Sequence, residues 1–239
     1  MFKPTCVLAV CAAIVAAIPA AARAQSSGER AFLNFGVGAQ PERHSVTASS
    51  SFPLYDETAT VSAEQHISNG PVFEIGGGAR VTRSLAIGAA FSTFGRPGGG
   101  TLTASVPDPI FYNRPTNVSR DASDLEHKER SIHVQALYFV PVNEKFDISL
   151  SAGPSFIHVS QDLITASVDS GTGAVTPTPV TETGNAVGFN AGGQINYLFT
   201  SRYGVGLFVG YAGGSVDLPH ATGFKVGGFR TGLALQARF

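Results

Sequence analysis

Eight segments of this chain alternate apolar residues with small or polar ones, and each segment is at least ten residues long. Such period-2 alternation is typical of a β-strand that turns one face to an apolar environment. The segments are residues 31–40, 72–81, 85–94, 131–142, 146–163, 187–199, 203–216 and 226–239. The alternation therefore predicts an all-β protein with eight strands.

The connections between these segments are alternately long and short. Three short turns are expected at residues 82–84, 143–145 and 200–202. The long connections are predicted to be an extended hairpin at 42–68, a large loop at 95–128 and two further loops at 165–184 and 217–225. Short turns at one end and long connections at the other are typical of an antiparallel up-and-down transmembrane β-barrel. Aromatic residues near the short turns fit an interfacial girdle: Phe146, Tyr197, Phe199, Tyr203 and Phe239.

Composition supports a membrane-facing surface and argues against several other classes. Charged residues make up 14% of the chain, well below the roughly 25% of an average soluble domain. The net charge of −1 offers no basic surplus, so nucleic acid is not an expected partner. The two cysteines, Cys6 and Cys11, are too close to the N-terminus to form a disulfide framework. No metal-ligand spacing or phosphate-binding loop is present in the sequence, so no cofactor is expected.

The N-terminus has the pattern of a cleaved secretory signal peptide. Lys3 precedes an apolar run at 7–18, and the small-residue ending Ala22-Arg23-Ala24 predicts cleavage after Ala24. The run is too short for a transmembrane helix, and Val10 before Cys11 does not suit a lipoprotein signal. Residues 1–24 are thus predicted to be the signal peptide and residues 25–239 a single domain. Because no later segment approaches 18 apolar residues, a mature chain that spans a membrane must do so as a closed barrel. A secreted β-sandwich or a soluble eight-stranded barrel is the alternative.

The A-x-A signal ending, the eight alternating segments and the C-terminal sequence GLALQARF together resemble the small eight-stranded outer-membrane barrels of Gram-negative bacteria, the OmpA-like superfamily. The resemblance covers residues 31–239 and implies location in the outer membrane, with outer-membrane lipid and lipopolysaccharide as partners. It also implies that the barrel assembly machinery reads an apolar C-terminal signal, which Leu233, Leu235, Ala237 and Phe239 would supply. Ala237 is small for that pattern. Since this fold hosts many activities, the resemblance does not specify one.

Charged residues on the polar face of the strands are the main candidates for a functional site. Glu74 and Arg230 are at similar depths, and the small residues Asn34, Gly36 and Gly38 of the intervening segment leave room for them to meet. The sequence therefore predicts a Glu74–Arg230 pair in the lumen, either structural or part of a gate. Three further charges are expected nearer the end with the short turns: Arg80, Asp147 and Arg238.

Two other groups of residues suggest chemistry more weakly. His158 and Ser160 share a face and are similar to part of the active site of lipid A deacylase barrels, but no Glu at a suitable spacing would orient His158. A mixed-charge run at 121–130 is predicted to be a solvated loop, with a cation or lipopolysaccharide site as the alternative. We therefore expect a non-enzymatic protein with a structural or surface-interaction role and an unknown surface ligand. A narrow channel for small solutes or ions is the alternative, and a lipid A-modifying hydrolase is a third possibility.

Overall fold

The computed structural model describes residues 30–41, 44–169, 171, 174–219 and 221–239. The predicted signal peptide and its cleavage after Ala24 lie outside the described residues. Within these ranges no helix is long and apolar enough to cross a membrane. The strands are β1 Ala31–Gln40, β2 His44–Leu54, β3 Glu57–Ile67, β4 Gly70–Arg80, β5 Leu85–Val106, β6 Thr116–Pro141, β7 Phe146–Val168, β8 Val175–Leu198, β9 Tyr203–Leu218 and β10 Ala221–Arg238.

Eight of the strands close into an antiparallel ring. Each strand from β4 to β9 pairs with its successor, and β1 pairs with β4 on one side and with β10 on the other. The register of the closing pair runs from Phe32↔Arg238 to Ala39↔Thr231. The predicted eight-stranded up-and-down barrel is therefore confirmed. Below, the end of the barrel with the short turns is called the turn end, and the opposite end is called the loop end.

The outer face of the ring is apolar and exposed. Along β1, Leu33, Phe35 and Val37 are exposed, while Phe32 and Gln40 point inward and are buried. The same exposed apolar face continues on the other strands, at Phe73, Ile75, Ile87, Phe91, Ile132, Tyr138, Leu150, Phe189, Ile195, Leu207, Val209, Leu233 and Leu235. A soluble sandwich or barrel buries its apolar face, so neither alternative fits this structure.

The three predicted short turns share one hydrogen-bonding arrangement. Thr82 Oγ1 accepts hydrogen bonds from the backbone N–H groups of Ser84 and Leu85. Asn143 Oδ1 accepts the N–H groups of Lys145 and Phe146 in the same way. Thr200 Oγ1 does so for the two residues that follow Ser201. A short polar side chain that mimics a backbone turn explains why each connection needs so few residues.

The predicted large loop at 95–128 is wrong, because most of it is strand. β5 and β6 stay paired from Gly95↔Lys128 to Val106↔Thr116, which leaves only residues 107–115 as the connection. Glycines, prolines and charges within the segment are local loop signals. They are outweighed by an alternating set of apolar residues, Leu102, Ala104 and Val106, that is buried against other strands. A register shift between Gly98 and Gly100 accommodates the irregular part.

Of the other long connections, one is as predicted and two are shorter; the loop predicted at 217–225 is mostly strand, because β9 and β10 pair as far as Ala221↔Leu218. The extended hairpin predicted at 42–68 is confirmed as β2–β3, which turns at Tyr55 and Asp56 and adds to β5. β7 and β8 pair as far as Val168↔Val175, so little of the loop predicted at 165–184 remains. We call β2, β3 and the loop-end parts of β5 and β6 the protruding sheet. Its core is completed by one residue each of β7 and β8, Ile164 and Val175, which join Val61, Ala63, Leu102, Ala104, Val106 and Leu125.

Candidate functional site

Asp147 and Arg238 form a buried ion pair at the turn end of the lumen. Both side chains are more than nine-tenths buried, and Asp147 also accepts a hydrogen bond of 2.8 Å from Asn196 Nδ2. Arg238 donates to Gln236 Oε1 as well. Arg80 lies at the mouth, where its guanidinium donates to the carbonyl of Arg83 and covers the ring of Phe139 at 4.2 Å. The Asp147–Arg238 pair thus links β7 to β10 across this end of the lumen.

Glu74 and Arg230 meet in the middle of the lumen. Arg230 Nη1 donates to Glu74 Oε2 at 3.0 Å, and the two side chains are 8% and 27% exposed. Gly36 pairs with Glu74 on the intervening strand. A Cβ at Gly36 would approach the Phe208 ring to 3.3 Å, so the small residue keeps this part of the lumen open for the pair.

His133 organises a hydrogen-bond network that the sequence did not reveal. Its Nε2 lies 2.9 Å from Ser92 Oγ and 3.3 Å from Arg230 Nη1, and its Nδ1 lies 2.7 Å from Ser155 Oγ. Asn190 continues the network by donating to Ser155 Oγ. The alternation of β6 does place His133 on the inner face, but its partners are 41, 22 and 97 residues away. Only the strand registers bring them together.

Glu129 and His127 form a second polar layer, nearer the loop end. Both oxygens of Glu129 accept the backbone N–H of Gly227 at 3.0 Å. The two ring nitrogens of His127 face Glu129 Oε1 at 2.9 Å and Gln161 Oε1 at 2.6 Å. Both facing atoms are acceptors, and the ring of His127 thus links Glu129 to Gln161 on the neighbouring strand β7. The prediction that the run at 121–130 is a solvated loop is therefore wrong: the whole run lies within β6, and Glu129 and His127 are buried.

Apolar residues close the lumen on the loop-end side of these layers. The cluster draws side chains from seven strands and includes Phe94, Val159 and Phe224, all at least nine-tenths buried. Between the Glu74–Arg230 pair and the turn end lies a polar cavity of about 60 Å³. That volume holds only a few water molecules. Among the residues that the structure describes, no group of three His, Cys, Asp or Glu is arranged to hold a metal ion.

His158 lies on the outer wall rather than in the lumen. It is exposed, and its Nδ1 is 2.9 Å from Asn185 Oδ1 on the neighbouring strand. Ser160 follows two residues further along β7 on the same face. The contact that orients His158 is therefore an amide, where a charge-relay arrangement needs a carboxylate.

The residues of the predicted assembly signal lie on the outer wall near the turn end. Leu233, Leu235 and Phe239 are exposed, and Ala237 is partly exposed. The terminal residue also contributes to closure, because its backbone N–H donates to Ala31 O at 2.8 Å and its carbonyl accepts the N–H of Ala31 at 3.0 Å. Recognition by the assembly machinery stays a prediction.

Comparisons with known proteins find similar solved structures. Neisserial surface protein A is 15% identical over 88% of this chain and 100% of its own, with a TM-score of 0.48. Outer membrane protein OprG from Pseudomonas aeruginosa is 9% identical over 89% and 96%, with a TM-score of 0.47. Ail, the attachment invasion locus protein of Yersinia pestis, is 10% identical over 88% and 99%, with a TM-score of 0.42. No protein-family profile and no curated protein matches the chain. The fold is established by the closed ring of strand pairings.

A double-mutant cycle on Glu74 and Arg230 measures their coupling. We expect Glu74→Gln and Arg230→Gln each to destabilise the barrel, and the double variant to be less unstable than the sum by about 1–3 kcal/mol, because each single change leaves a partly buried group without its partner. Urea unfolding in lipid vesicles, followed by heat-modifiable gel migration, gives the free energies.

The exposed pair Lys128–Glu126 is the control for this cycle. Its nitrogen and oxygen are 2.6 Å apart, but the side chains are 53% and 60% exposed, so its coupling should be below about 1 kcal/mol. Strictly additive effects at Glu74 and Arg230 would show that the contact contributes nothing to stability.

Proposed function

We propose that this protein is a non-enzymatic outer-membrane β-barrel that binds a partner at the cell surface through its protruding sheet. The barrel serves as the anchor, because its exposed apolar face needs lipid around it while its interior is filled. The protruding sheet has its own apolar core and is therefore a rigid support rather than a set of loose loops. Location in the outer membrane and the absence of catalysis are both parts of this proposal.

The observation that carries the proposal is an apolar tip on the β5–β6 connection. Ile110, Phe111 and Tyr112 are 81%, 55% and 80% exposed, and we call these three residues the aromatic tip. Arg114 stacks over the ring of Phe111 at 5.7 Å. Aromatic residues and arginine are the side chains most enriched in the energetically dominant parts of protein interfaces. These three large apolar side chains belong to none of the buried hydrophobic clusters of the described chain, so they do not stabilise the fold by packing.

The tip is held in one conformation by its surroundings. Asp108 Oδ1 accepts the backbone N–H groups of Ile110 and Phe111 at 2.8 and 3.0 Å. These two hydrogen bonds lower the pKa of the Asp108 carboxyl, so it stays ionised and keeps accepting them near neutral pH. The N–H of Asn113 donates to Glu57 Oε1 on β3 at 3.0 Å, which ties the connection to the hairpin beside it. A pre-organised tip loses less conformational entropy on binding.

The interior supports an anchor more than a channel. Ion pairs, the His133 network and the apolar cluster follow one another along the lumen, and each joins side chains from different strands. An eight-stranded interior is just wide enough to be filled by side chains. For Glu74 and Arg230 we accordingly favour the structural role over the gate. The enzyme alternative has less support, because His158 is oriented by an amide.

Cysteine labelling on intact cells tests the orientation. Beyond Cys6 and Cys11 the chain has no cysteine, so introduced thiols are unique in the mature protein. We expect a membrane-impermeant maleimide to label Tyr112→Cys on intact cells, because the tip projects outward. Glu144→Cys, in a short turn, should be labelled only after the outer membrane is permeabilised. The reverse pattern would contradict the orientation, and labelling of both on intact cells would contradict the membrane location.

Adhesion of cells that display the protein tests the role of the tip. We expect the double change Ile110→Ser, Tyr112→Ser to reduce binding to immobilised serum or matrix proteins by about tenfold or more, as for the loss of interface anchor residues. Ser119→Ala, at an exposed position of the same sheet, is the control and should bind like the unmodified protein. If the protein promotes binding and both variants retain it, the tip is not the contact surface.

Conductance in planar lipid bilayers separates the anchor from the channel. We expect no discrete openings from the unmodified protein, because the filled lumen leaves no continuous water path. Glu74→Gln should be equally silent. Discrete openings whose size changes with Glu74→Gln would favour the channel and the gate role of the pair.

A further inference from the structure

β2 is the end strand of the protruding sheet and pairs on one side only. Its register with β3 runs from His44↔Ile67 to Leu54↔Glu57, and within the described ranges no strand pairs with its other side. β10 approaches β2 without pairing with it. An unpaired strand side presents a row of backbone N–H and C=O groups that another strand can join. We call this side of β2 the open edge.

The turn between β2 and β3 determines which residues of β2 face the open edge. Tyr55 and Asp56 have φ angles of 49° and 60°. This is the conformation of a two-residue hairpin turn, in which the flanking residues Leu54 and Glu57 are hydrogen-bonded to each other. Because bonding alternates along the ladder, the even-numbered residues of β2 bond to β3. The odd-numbered residues direct their backbone groups to the open edge: Ser45, Thr47, Ser49, Ser51 and Pro53. The last of these fits the assignment, because proline has no N–H to give to β3.

The open edge is not protected against pairing along most of its length. Natural sheets protect their edges with charges, prolines or bulges. From Ser45 to Phe52, β2 contains no charged residue and no proline, and no register shift interrupts its pairing with β3. The backbone groups of the open edge are therefore arranged regularly enough to continue the sheet.

The unpaired sides of β8 and β6 at the loop end are protected. β9 pairs with β8 only from Phe189 onward. Pro177 and Pro179, in the part before it, have no N–H to give to β7, so they remove donors from the unpaired side. β7 pairs with β6 only from His127 onward, and the part of β6 before it contains several charged residues and the register shift of the β5–β6 ladder. The contrast indicates that the open edge of β2 is kept available for pairing.

A second copy of β2, running antiparallel, suits the open edge. With Ser49 opposite Ser49, Thr47 lies opposite Ser51 and Ser45 lies opposite Pro53, so the open edge is paired along its whole length. Every opposing pair is then neutral, and cross-strand pairs of hydroxyl side chains stabilise antiparallel strands. Selection of a foreign peptide needs pockets for alternate side chains, whereas the side chains along the open edge are small and exposed. A strand that is already folded also loses less conformational entropy on pairing than an extended peptide does.

The direction of β2 determines how two copies can meet. β2 runs from the loop end of the barrel outward to the turn at Tyr55, so antiparallel pairing requires two barrels that point toward each other. Copies in one membrane point the same way, whereas copies on two facing cells meet this requirement. The arrangement uses the same edge on both chains and closes as a two-fold pair. The protected side of β6 at the far end of each protruding sheet prevents further growth.

We propose that the open edge of β2 pairs antiparallel with β2 of a second copy on a facing cell, so that the protein joins cells that display it. This self-association goes beyond the binding proposed for the aromatic tip and rests on the proposed location at the cell surface. A single edge-to-edge contact is small. Many copies acting together between two cells give the contact its strength.

Disulfide trapping of the purified mature protein in lipid nanodiscs tests the pairing. Opposing hydrogen-bonded residues of antiparallel strands have Cα atoms about 5.5 Å apart, within the range of a disulfide. We therefore expect Ser49→Cys to form a disulfide-linked dimer on mild oxidation. Ser62→Cys is the matched control, because Ser62 pairs with Ser49 and is equally exposed on the same face. Its two copies would be about 14 Å apart across three strand spacings and should stay monomeric. A monomeric Ser49→Cys protein, or equal dimers of both variants, would contradict the pairing.

Clustering of two cell populations that carry different dyes tests the facing arrangement. We expect cells that display the unmodified protein to cluster with one another and not with cells that lack it. Ser49→Lys should reduce clustering about tenfold, because many pairs of like charges would oppose each other between two cells, and Ser49→Glu should do the same. A mixture of Ser49→Lys cells with Ser49→Glu cells should cluster again, because opposite charges then meet.

Other results of the clustering experiment would overturn the proposal. Clustering with cells that lack the protein would identify a different partner, and full clustering of the Ser49→Lys cells would exclude the open edge. A dispersed mixture of the two charged variants would exclude pairing of β2 with itself. The double change Ile110→Ser, Tyr112→Ser should leave clustering intact, and a loss there would assign clustering to the aromatic tip. Heat-modifiable migration of every variant shows that the barrel is folded. A failure of membrane location appears in the cysteine labelling, so it is distinguishable from a failure of the pairing.

Discussion

Backbone pairing between β1 and β10 is the interaction on which the rest of the barrel depends. A sheet edge in lipid would leave N–H and C=O groups without partners, at a cost of several kcal/mol each. The ring removes both edges by pairing Phe32↔Arg238 through Ala39↔Thr231, and the hydrogen bonds between Phe239 and Ala31 extend the closure to the last residue. The outward apolar face and the inward polar face are stable only once this closure exists.

One buried charge, Glu129, is explained by the point at which the pairing of β1 with β10 ends. Beyond Thr231, Gly227 and Gly228 adopt positive φ angles of 88° and 154°, so β10 leaves the line of β1. A Cβ at Gly227 would lie 2.1 Å from Ala212 O, so only glycine fits there. The N–H of Gly227 is then accepted by Glu129, and its carbonyl accepts the amide of Gln40 at 2.9 Å. Beyond the last β1–β10 pair, the side chains of Glu129 and Gln40 thus supply the hydrogen bonds to the β10 backbone that β1 no longer makes.

Alternation and turn chemistry predict more of this protein than composition does. Parity along each strand separates inner from outer residues. Counting from the turn at Thr82 and from Phe239 puts Glu74 and Arg230 at similar depths, and the structure joins them at 3.0 Å. The segment at 95–128 was wrongly predicted as a loop because its glycines, prolines and charges are local signals. The burial of Leu102, which favours a strand, depends on distant residues of β3, β6 and β7. His127 and Glu129 share the parity of His133 on β6, and that parity was the available signal for their burial. Their partners required cross-strand registers, which no single segment contains.

The same registers decide which residues of the outer wall can act together. Around the turn at 142–145 the pairing Pro141↔Asp147 continues without a shift to Arg130↔His158, and the irregularity in β5 begins only beyond Gly98. A slip of one residue would turn His158 into the wall and bring Ile157 to the surface. Asn143, which fixes that turn through its bonds to Lys145 and Phe146, therefore determines that Arg130 and His158 stand side by side. The geometry of a four-residue connection at one end of the barrel thus determines which side chains are neighbours on the wall near the other end.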